Sequence, residues 1–275
     1  MKPPPFAYLR AESVEEALAA LRQHGDEARI LAGGQSLLPM LNMRLTRPAI
    51  LIDIMRIGAL REATVSNGML AVGAGMRQAS LLGRSSLARE VPLLAASLPW
   101  VGHYQTRARG TVCGSAAHAD PSAEIPLCLV ALSGSIRLRS ARKRRIVPAE
   151  TFFAGTMMTG RADEEMIEAV LLPLAKPGCG YAFAEAARRH GDFAITACAA
   201  VAEAGRLRLA VGGVADRPVA RDLPRLDGSA LDDALNDFAW SLGARDDMHA
   251  TARYRRDLVR KLGRRVLEEA ISCRS

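Results

Sequence analysis

The chain has 275 residues, 49% of them hydrophobic, and a formal net charge of +8. That length and apolar content support two or three packed units around a real core, and no apolar run approaches the ~20 residues that span a bilayer. Aromatic residues make up only 4% of the chain and are not interleaved with the basic runs Arg137–Arg145 and Arg253–Arg265, so stacking platforms for single-stranded nucleic acid are missing.

At the start, Met1-Lys-Pro-Pro-Pro-Phe6 has no apolar signal region after its lysine, and a cytoplasmic location is expected. Ser13 stands three residues before Glu16 in a capping-box pattern. Val14, Ala17, Leu18 and Leu21 then share one helical face, and Gly25 ends the helix. Arg29–Leu31 reads as a short strand running into Gly33-Gly34. Leu37–Met43 reads as a short helix with Pro39 in its first turn, where proline is tolerated. Ile50–Ile54 is a buried strand that completes a small β–α–β-like unit.

A second unit begins near Ile57. Its expected elements are a strand at Met69–Gly73, helices at Arg77–Gly83 and Leu87–Leu98, hairpin strands at Ser135–Leu138 and Arg145–Val147, and a strand at Met166–Leu172. The stretch Leu174–Gly180 breaks the pattern and reads as a linker. Beyond it, Ala194–Ala202 and Arg206–Val211 alternate as a two-strand meander, and Ala230–Leu242 and Thr251–Glu269 read as helices. The basic runs fall on a hairpin tip and a helix face, which suit solvent or acidic partner subunits.

Two glycine-rich stretches carry most of the chemistry: Leu31-Ala-Gly-Gly-Gln-Ser-Leu-Leu-Pro39 and Gly110-Thr-Val-Cys-Gly-Ser-Ala-Ala-His-Ala-Asp-Pro-Ser-Ala-Glu124. Both pair small residues with hydroxyls and lack lysine, a combination suited to holding a dinucleotide pyrophosphate by backbone amides. The first runs into a helix N-terminus, which adds dipole attraction. Val72-Gly-Ala-Gly-Met-Arg-Gln78 mimics a Rossmann fingerprint but lacks its third glycine and the later acidic residue, so it reads as a turn and candidate site lining, not as a separate nucleotide fold. No Gly-Lys-Ser/Thr is present, which excludes a P-loop. His118 and Asp120 lack a third convergent metal ligand, and His103 is ambiguous. The five cysteines, Cys113, Cys128, Cys179, Cys198 and Cys273, are scattered without a Cys-x-x-Cys pair, so neither a disulfide framework nor an iron–sulfur site is expected on this chain. Phe152, Phe153 and Phe183 read as core, and Asp163–Glu165 as the exposed start of an element. Glu124 has two readings: a polar anchor for ribose or adenine, or a capping residue for the apolar segment Ile125–Leu132.

At these residues the sequence resembles the FAD-binding medium subunit of the molybdenum hydroxylases, the carbon monoxide and xanthine dehydrogenase type. The likeness also covers Met40–Leu45, Ile50–Ile54, Gly102–Arg107, Phe152–Gly155, Ala187–Phe193, Gly212–Val214 and Ala252–Arg256. It implies an α+β flavoprotein with a vanillyl-alcohol-oxidase (PCMH)-type FAD-binding domain of two α/β subdomains, residues 1–56 and 57–174. A C-terminal α+β domain, residues 178–275, would place a small antiparallel sheet with helices over them.

By match, Ala32, Gly33, Gly34, Gln35 and Ser36 form one pyrophosphate loop, and Thr111, Val112, Cys113, Gly114 and Ser115 the other. Glu124 matches the family's acidic contact and Ile167 a backbone position beside the nucleotide. Phe193 matches an aromatic position near the isoalloxazine ring, with Arg188, Arg189 and Asp192 as its scaffold. Cys113 stands where the family usually has glycine, Ser115 and Ala108 where asparagine is common, and Glu185 near a frequent lysine. Replacing Cys113 with glycine is therefore expected to preserve or tighten binding. The resemblance further implies an electron-transfer role, with [2Fe–2S] clusters on a small partner chain and the molybdenum cofactor on a large one. The assembly would be a dimer of heterotrimers that passes electrons to NAD⁺, oxygen or another acceptor. The rival expectations are a self-contained flavin oxidase or dehydrogenase of the same fold and a flavin-less basic scaffold subunit.

Overall fold

The computed structural model describes residues 2–274, arranged as three larger sheets and a two-stranded ribbon around one continuous core and a second, C-terminal core. Strands β1 (Ala7–Arg10), β2 (Ala28–Leu31) and β3 (Ile50–Asp53) form a parallel sheet in the order β1-β3-β2. The helix Val14–His24 crosses between its first two strands. Ser13 Oγ accepts from the Glu16 N–H at 3.1 Å, and the Glu16 carboxylate accepts from the Glu12 N–H at 2.8 Å, one residue earlier than an ideal capping box. Gly25, at φ 52°, turns the chain out of the helix. Strand β1 is mostly exposed, so no alternating pattern announced it.

The second sheet is antiparallel, with β4 (Ala63–Ser66), β5 (Met69–Gly73), β6 (Ser135–Arg139), β7 (Arg144–Pro148) and β10 (Met166–Pro173) in the order β4-β5-β10-β6-β7. Between β7 and β10, a short ribbon pairs β8 (Phe153–Gly155) with β9 (Met158–Thr159). Asn67 and Gly68 both take positive φ and close the β4–β5 hairpin. The expected helix Leu87–Leu98 is broken at Val91, because Pro92 disfavours helical geometry in the residue before it. The glycine-rich stretch Gly110–Glu124 is not a loop throughout, since Val112–His118 is helical. The Asp163–Glu165 run also departs from expectation. Glu165 is only 2% exposed and accepts two bonds of 2.7 Å from Arg145 and one of 2.9 Å from the Ala162 N–H.

The C-terminal sheet is a four-stranded meander of β11 (Gly180–Ala186), β12 (Thr196–Ala202), β13 (Arg206–Gly212) and β14 (Val219–Pro224), not the two strands expected. One face, rich in alanine, packs under the helices Gly228–Ser241 and Ala252–Ser272. Phe183 and Ala199, on the other face, join the main core. The helix Glu124–Ala131, all eight residues of which are buried, packs against β12, β13 and β14 and against the helices Pro92–Ser97, Val112–His118 and Ala149–Phe152. Among the described residues, no helix is long and apolar enough to cross a membrane.

Candidate functional site

A cleft of about 740 Å³ opens where the parallel sheet, the helix Val112–His118 and the β11–β12 loop meet. Its size suits a small-molecule or cofactor site. The first glycine stretch forms one wall. Strand β2 ends at Leu31, Gly34 takes φ 70°, and the Leu38 N–H bonds the Gly34 carbonyl at 3.0 Å to start the next helix. Among the described residues, no acceptor takes the N–H groups of Gly33, Gly34, Gln35 or Ser36. Four consecutive unclaimed donors beside a cavity make an anion-binding nest.

Gly33 is demanded by crowding rather than by its φ. A Cβ there would lie 2.4 Å from the Arg109 carbonyl oxygen and 2.7 Å from Gly110 Cα. The two glycine stretches are therefore pressed together at their backbones.

The second stretch is held from below. Gln78 N–H donates to the Gly110 carbonyl at 2.9 Å, Val112 N–H to the Met76 carbonyl at 3.1 Å, and Gly114 N–H to Thr111 Oγ1 at 3.0 Å. Ser115 N–H is also taken, by the Thr111 carbonyl at 3.2 Å. The Thr111 and Cys113 amides have no acceptor among the described residues. Val112 is fully buried and lines no part of the cleft, whereas Thr111, Cys113, Gly114 and Ser115 do. The Cys113 backbone is helical, and its thiol donates at 3.3 Å to the Val72 carbonyl of β5. Burial pushes that thiol up to about 12, so it stays protonated.

Glu124 opens its helix at the cleft wall and is 6% exposed. The N-cap is Ala123, with no side-chain cap bond, so the capping role weighed for Glu124 is not realised. Burial first, then the charge of Asp120, raises its carboxyl to about 7, against the opposing pull of its own backbone amide and Arg107. Ile167 lines the cleft beside a bulge in β10, and Phe193 stands at its mouth, 69% exposed. The loop carrying Phe193 is anchored by His190, stacked 4.7 Å from Trp100, and by Gly191. A Cβ on Gly191 would meet His103 Nδ1 at 2.7 Å. Asp192 pairs with Arg189 at 3.3 Å.

Among the cleft residues that were not expected as site residues are Gln78, Arg29 and Arg161. Gln78, 4% exposed, donates from Nε2 to the Thr111 carbonyl at 3.4 Å, while its Oε1 has no partner among the described residues. Its only signal was its place at the end of the Gly73-Ala-Gly75 turn. Arg29 and Arg161 line the far end, and burial followed by the Arg29 charge lowers Arg161 below the usual arginine value despite opposing carboxylates. Nothing in their sequence context marks them. Among the described residues, no three His, Cys, Asp or Glu side chains converge as metal ligands.

Residues 4–175 match the model of the FAD binding domain in molybdopterin dehydrogenase, and residues 181–270 that of the CO dehydrogenase flavoprotein C-terminal domain. The nicotine 6-hydroxylase medium subunit of Paenarthrobacter nicotinovorans is 36% identical, over 98% of this chain and 99% of its own. The carbon monoxide dehydrogenase medium chain of Hydrogenophaga pseudoflava is 33% identical, over 98% of each. Among solved structures, carbon monoxide dehydrogenase from the same organism superposes with a TM-score of 0.94, covering 100% of both chains at 31% identity. Quinoline 2-oxidoreductase from Pseudomonas putida 86 gives 0.90 at 33% identity, covering 99% of each.

Proposed function

The chain belongs to the FAD-binding medium-subunit family of the molybdenum hydroxylases, and from that membership we propose that it is the electron-transferring flavoprotein of a cytoplasmic, multi-subunit oxidoreductase. The observation that carries this reading is the run of unclaimed amides from Gly33 to Ser36, all on residues that line the cleft together with Thr111, Cys113, Gly114 and Ser115 at the start of Val112–His118. A diphosphate fits such donors, and the Gly33 contact keeps the two stretches at a fixed separation.

In this reading, Ala32, Gly33, Gly34, Gln35 and Ser36 hold one side of the diphosphate. Thr111, Cys113, Gly114 and Ser115 hold the other, and Val112 ties the second stretch to Met76. Glu124 accepts from cofactor hydroxyls, Ile167 borders the nucleotide by its backbone, and Phe193 covers the ring. Bound FAD supplies a centre that takes up two electrons and releases them singly or together. The protein's own task is to orient that group and exclude water from its buried side. Residues 1–56 and 57–174 act as the two FAD-binding subdomains, with 178–275 as the C-terminal domain. Electrons arrive from [2Fe–2S] clusters of an iron–sulfur small subunit, fed by a molybdenum-binding large subunit, and leave to NAD⁺, oxygen or another acceptor. The complex is a dimer of heterotrimers.

Purification of the chain alone and with its partner chains tests this. Yellow, iron-free protein whose flavin is reduced by organic substrate only when both partners are present is the expected result. Substrate reduction of the isolated chain would identify a self-contained oxidase or dehydrogenase instead. Absence of flavin from every preparation would leave a scaffold subunit.

A further inference from the structure

The strip from Ala74 to Gln78 borders two cavities. Its end residues, Ala74 and Gln78, line the cleft, and the three between them line a second cavity of about 330 Å³. The two cavities share no lining residue. Close packing shapes the second one. A Cβ on Gly73 would lie 2.4 Å from the Leu60 carbonyl oxygen, and Gly75 N–H donates to that same oxygen at 2.7 Å. The stem of Arg61 lies across Gly75, where a Cβ would meet Arg61 Cγ at 3.0 Å. Arg77 then forms an isolated backbone bridge with Thr111 before the helix Gln78–Leu82 begins.

Three guanidinium side chains, those of Arg61, Arg77 and Arg84, border this cavity, and no carboxylate does. Arg84 is neutralised and fixed. Its Nε and Nη2 donate to the two Glu90 oxygens at 2.7 and 2.9 Å, and its Nη1 donates to the Ala63 carbonyl at 3.2 Å. The side chains of Arg61 and Arg77 have no acceptor or ion-pair partner among the described residues, and Glu62, beside Arg61 in the chain, pairs with neither. Two positive charges are thus brought to one concavity without a counter-charge, and they repel until an anion joins them. Ser80 adds a hydroxyl donor, and Met76 and Leu81 add apolar surface.

We propose that this second cavity binds a phosphate monoester of up to mononucleotide size, with Arg61 and Arg77 gripping the phosphate, Ser80 donating to it and the organic part resting on Met76 and Leu81. Forked guanidinium donors match phosphate oxygens two at a time. A phosphate monoester carries about −1.5 to −2 at neutral pH and so balances both uncompensated arginines, which a single carboxylate does not. The cavity lies at the small end of the range for organic ligands, about 300–1,000 Å³, which excludes a second dinucleotide. Its chemistry also differs from that of the cleft, where backbone amides are the donors. The site stands whether or not the cleft holds FAD.

The test titrates the full chain, saturated with FAD, with inorganic phosphate, AMP and adenosine by calorimetry at constant ionic strength. Phosphate and AMP should each bind once per chain, AMP the more tightly, and adenosine not at all. Arg61→Gln and Arg77→Gln should each weaken AMP binding about tenfold, and the double variant about a hundredfold. Both side chains are exposed and glutamine keeps much of the stem, so the variants should melt with the wild type, which separates lost binding from lost structure. Arg89→Gln removes an exposed cation that does not line the cavity and should leave AMP affinity unchanged. Undiminished AMP binding in the double variant would overturn the proposal, and so would an equal loss in Arg89→Gln, the mark of diffuse charge. Phosphate binding without AMP binding would overturn the ester assignment. Loss of AMP binding on assembly with the partner chains would give the two arginines to an acidic group of a partner instead. If the chain takes up no FAD, the cofactor reading fails, and the same comparison of wild type with double variant still decides the cavity.

Discussion

The contact between the two glycine stretches makes Gly33→Ala the sharpest probe of the site. The added methyl would sit 2.4 Å from the Arg109 carbonyl oxygen, 2.7 Å from Gly110 Cα and 3.0 Å from the Arg109 carbonyl carbon. Comfortable separations are about 3.5 Å or more, so the stretches must part by roughly 1 Å. All three neighbours are backbone atoms, and Gly110 is pinned by its bonds to Thr106 at 2.6 Å and Gln78 at 2.9 Å. No side chain can rotate away to relieve the clash. Overpacking of this kind costs about 1–3 kcal/mol. For a chain of this size that lowers the apoprotein Tm by about 2–10 °C. Misaligning the two sets of amides should weaken FAD binding by one to two decades, about 1.4 kcal/mol per decade. Thermal scans of the apoprotein and FAD titration by calorimetry measure the two effects separately. A variant with unchanged Tm and unchanged affinity would refute the contact, and lost affinity at an unchanged apoprotein Tm would show that the stretches do not press together before the cofactor arrives.

Three further perturbations separate the roles of individual residues. Gly34→Asp places a charge and a side chain at φ 70° inside the amide nest, and FAD should be absent after gel filtration; stoichiometric flavin would sink the loop assignment. Cys113→Gly, expected from sequence to preserve or tighten binding, should at the same time destabilise the fold by about 1–3 kcal/mol in urea titrations. The residue is helical and buried and its thiol bonds to Val72, so an unchanged urea midpoint would refute this cost, while FAD affinity at or above the wild-type level is still the outcome expected from sequence. Arg145→Ala strips Glu165 of its guanidinium partner. Glu165 is buried but Arg145 is partly exposed, so the loss should fall near or below the lower end of the buried-pair range, about 2–3 kcal/mol. Arg145 holds the Glu165 carboxyl below the ordinary value, so the wild-type contribution is present above about pH 4.5 and fades as pH falls. A variant whose acid unfolding matches the wild type would contradict that pairing.

The elements that were legible in the sequence are those whose signal is local. The capped helix after Ser13, the strands flanking Gly33-Gly34 and the two C-terminal helices each carry their own periodicity or punctuation. Strands β1 and β14 escaped because exposed or charged residues fill them, and β11 because alanine and glycine dominate it. Their existence depends on neighbours supplied by distant segments, which no window of sequence contains. The same division holds at the cleft. Glycine-rich runs announce a close approach of backbone, and they did so for both stretches. Arg161 acquires meaning only from its burial, and Gln78 from burial and from a side-chain oxygen that finds no donor among the described residues. Cys113 looked anomalous as a letter and is ordinary as a side chain, because its thiol turns toward β5.

The helix Glu124–Ala131 reaches further than its eight buried residues suggest. Its last carbonyls, Val130 and Ala131, each accept a bond of 3.1 Å from Arg208 of β13, and Gly213 N–H holds the Pro121 carbonyl at 2.8 Å just before its start. The segment that begins with a cleft residue is thus terminated by a strand of the other half of the chain. Cutting between β10 and β11 would bare a helix that is apolar after Glu124 and orphan its last carbonyls, so neither piece should be separately soluble. The two halves are therefore expected to melt in a single transition, and a partner that pushes on the C-terminal sheet pushes, through one rigid rod, on Glu124.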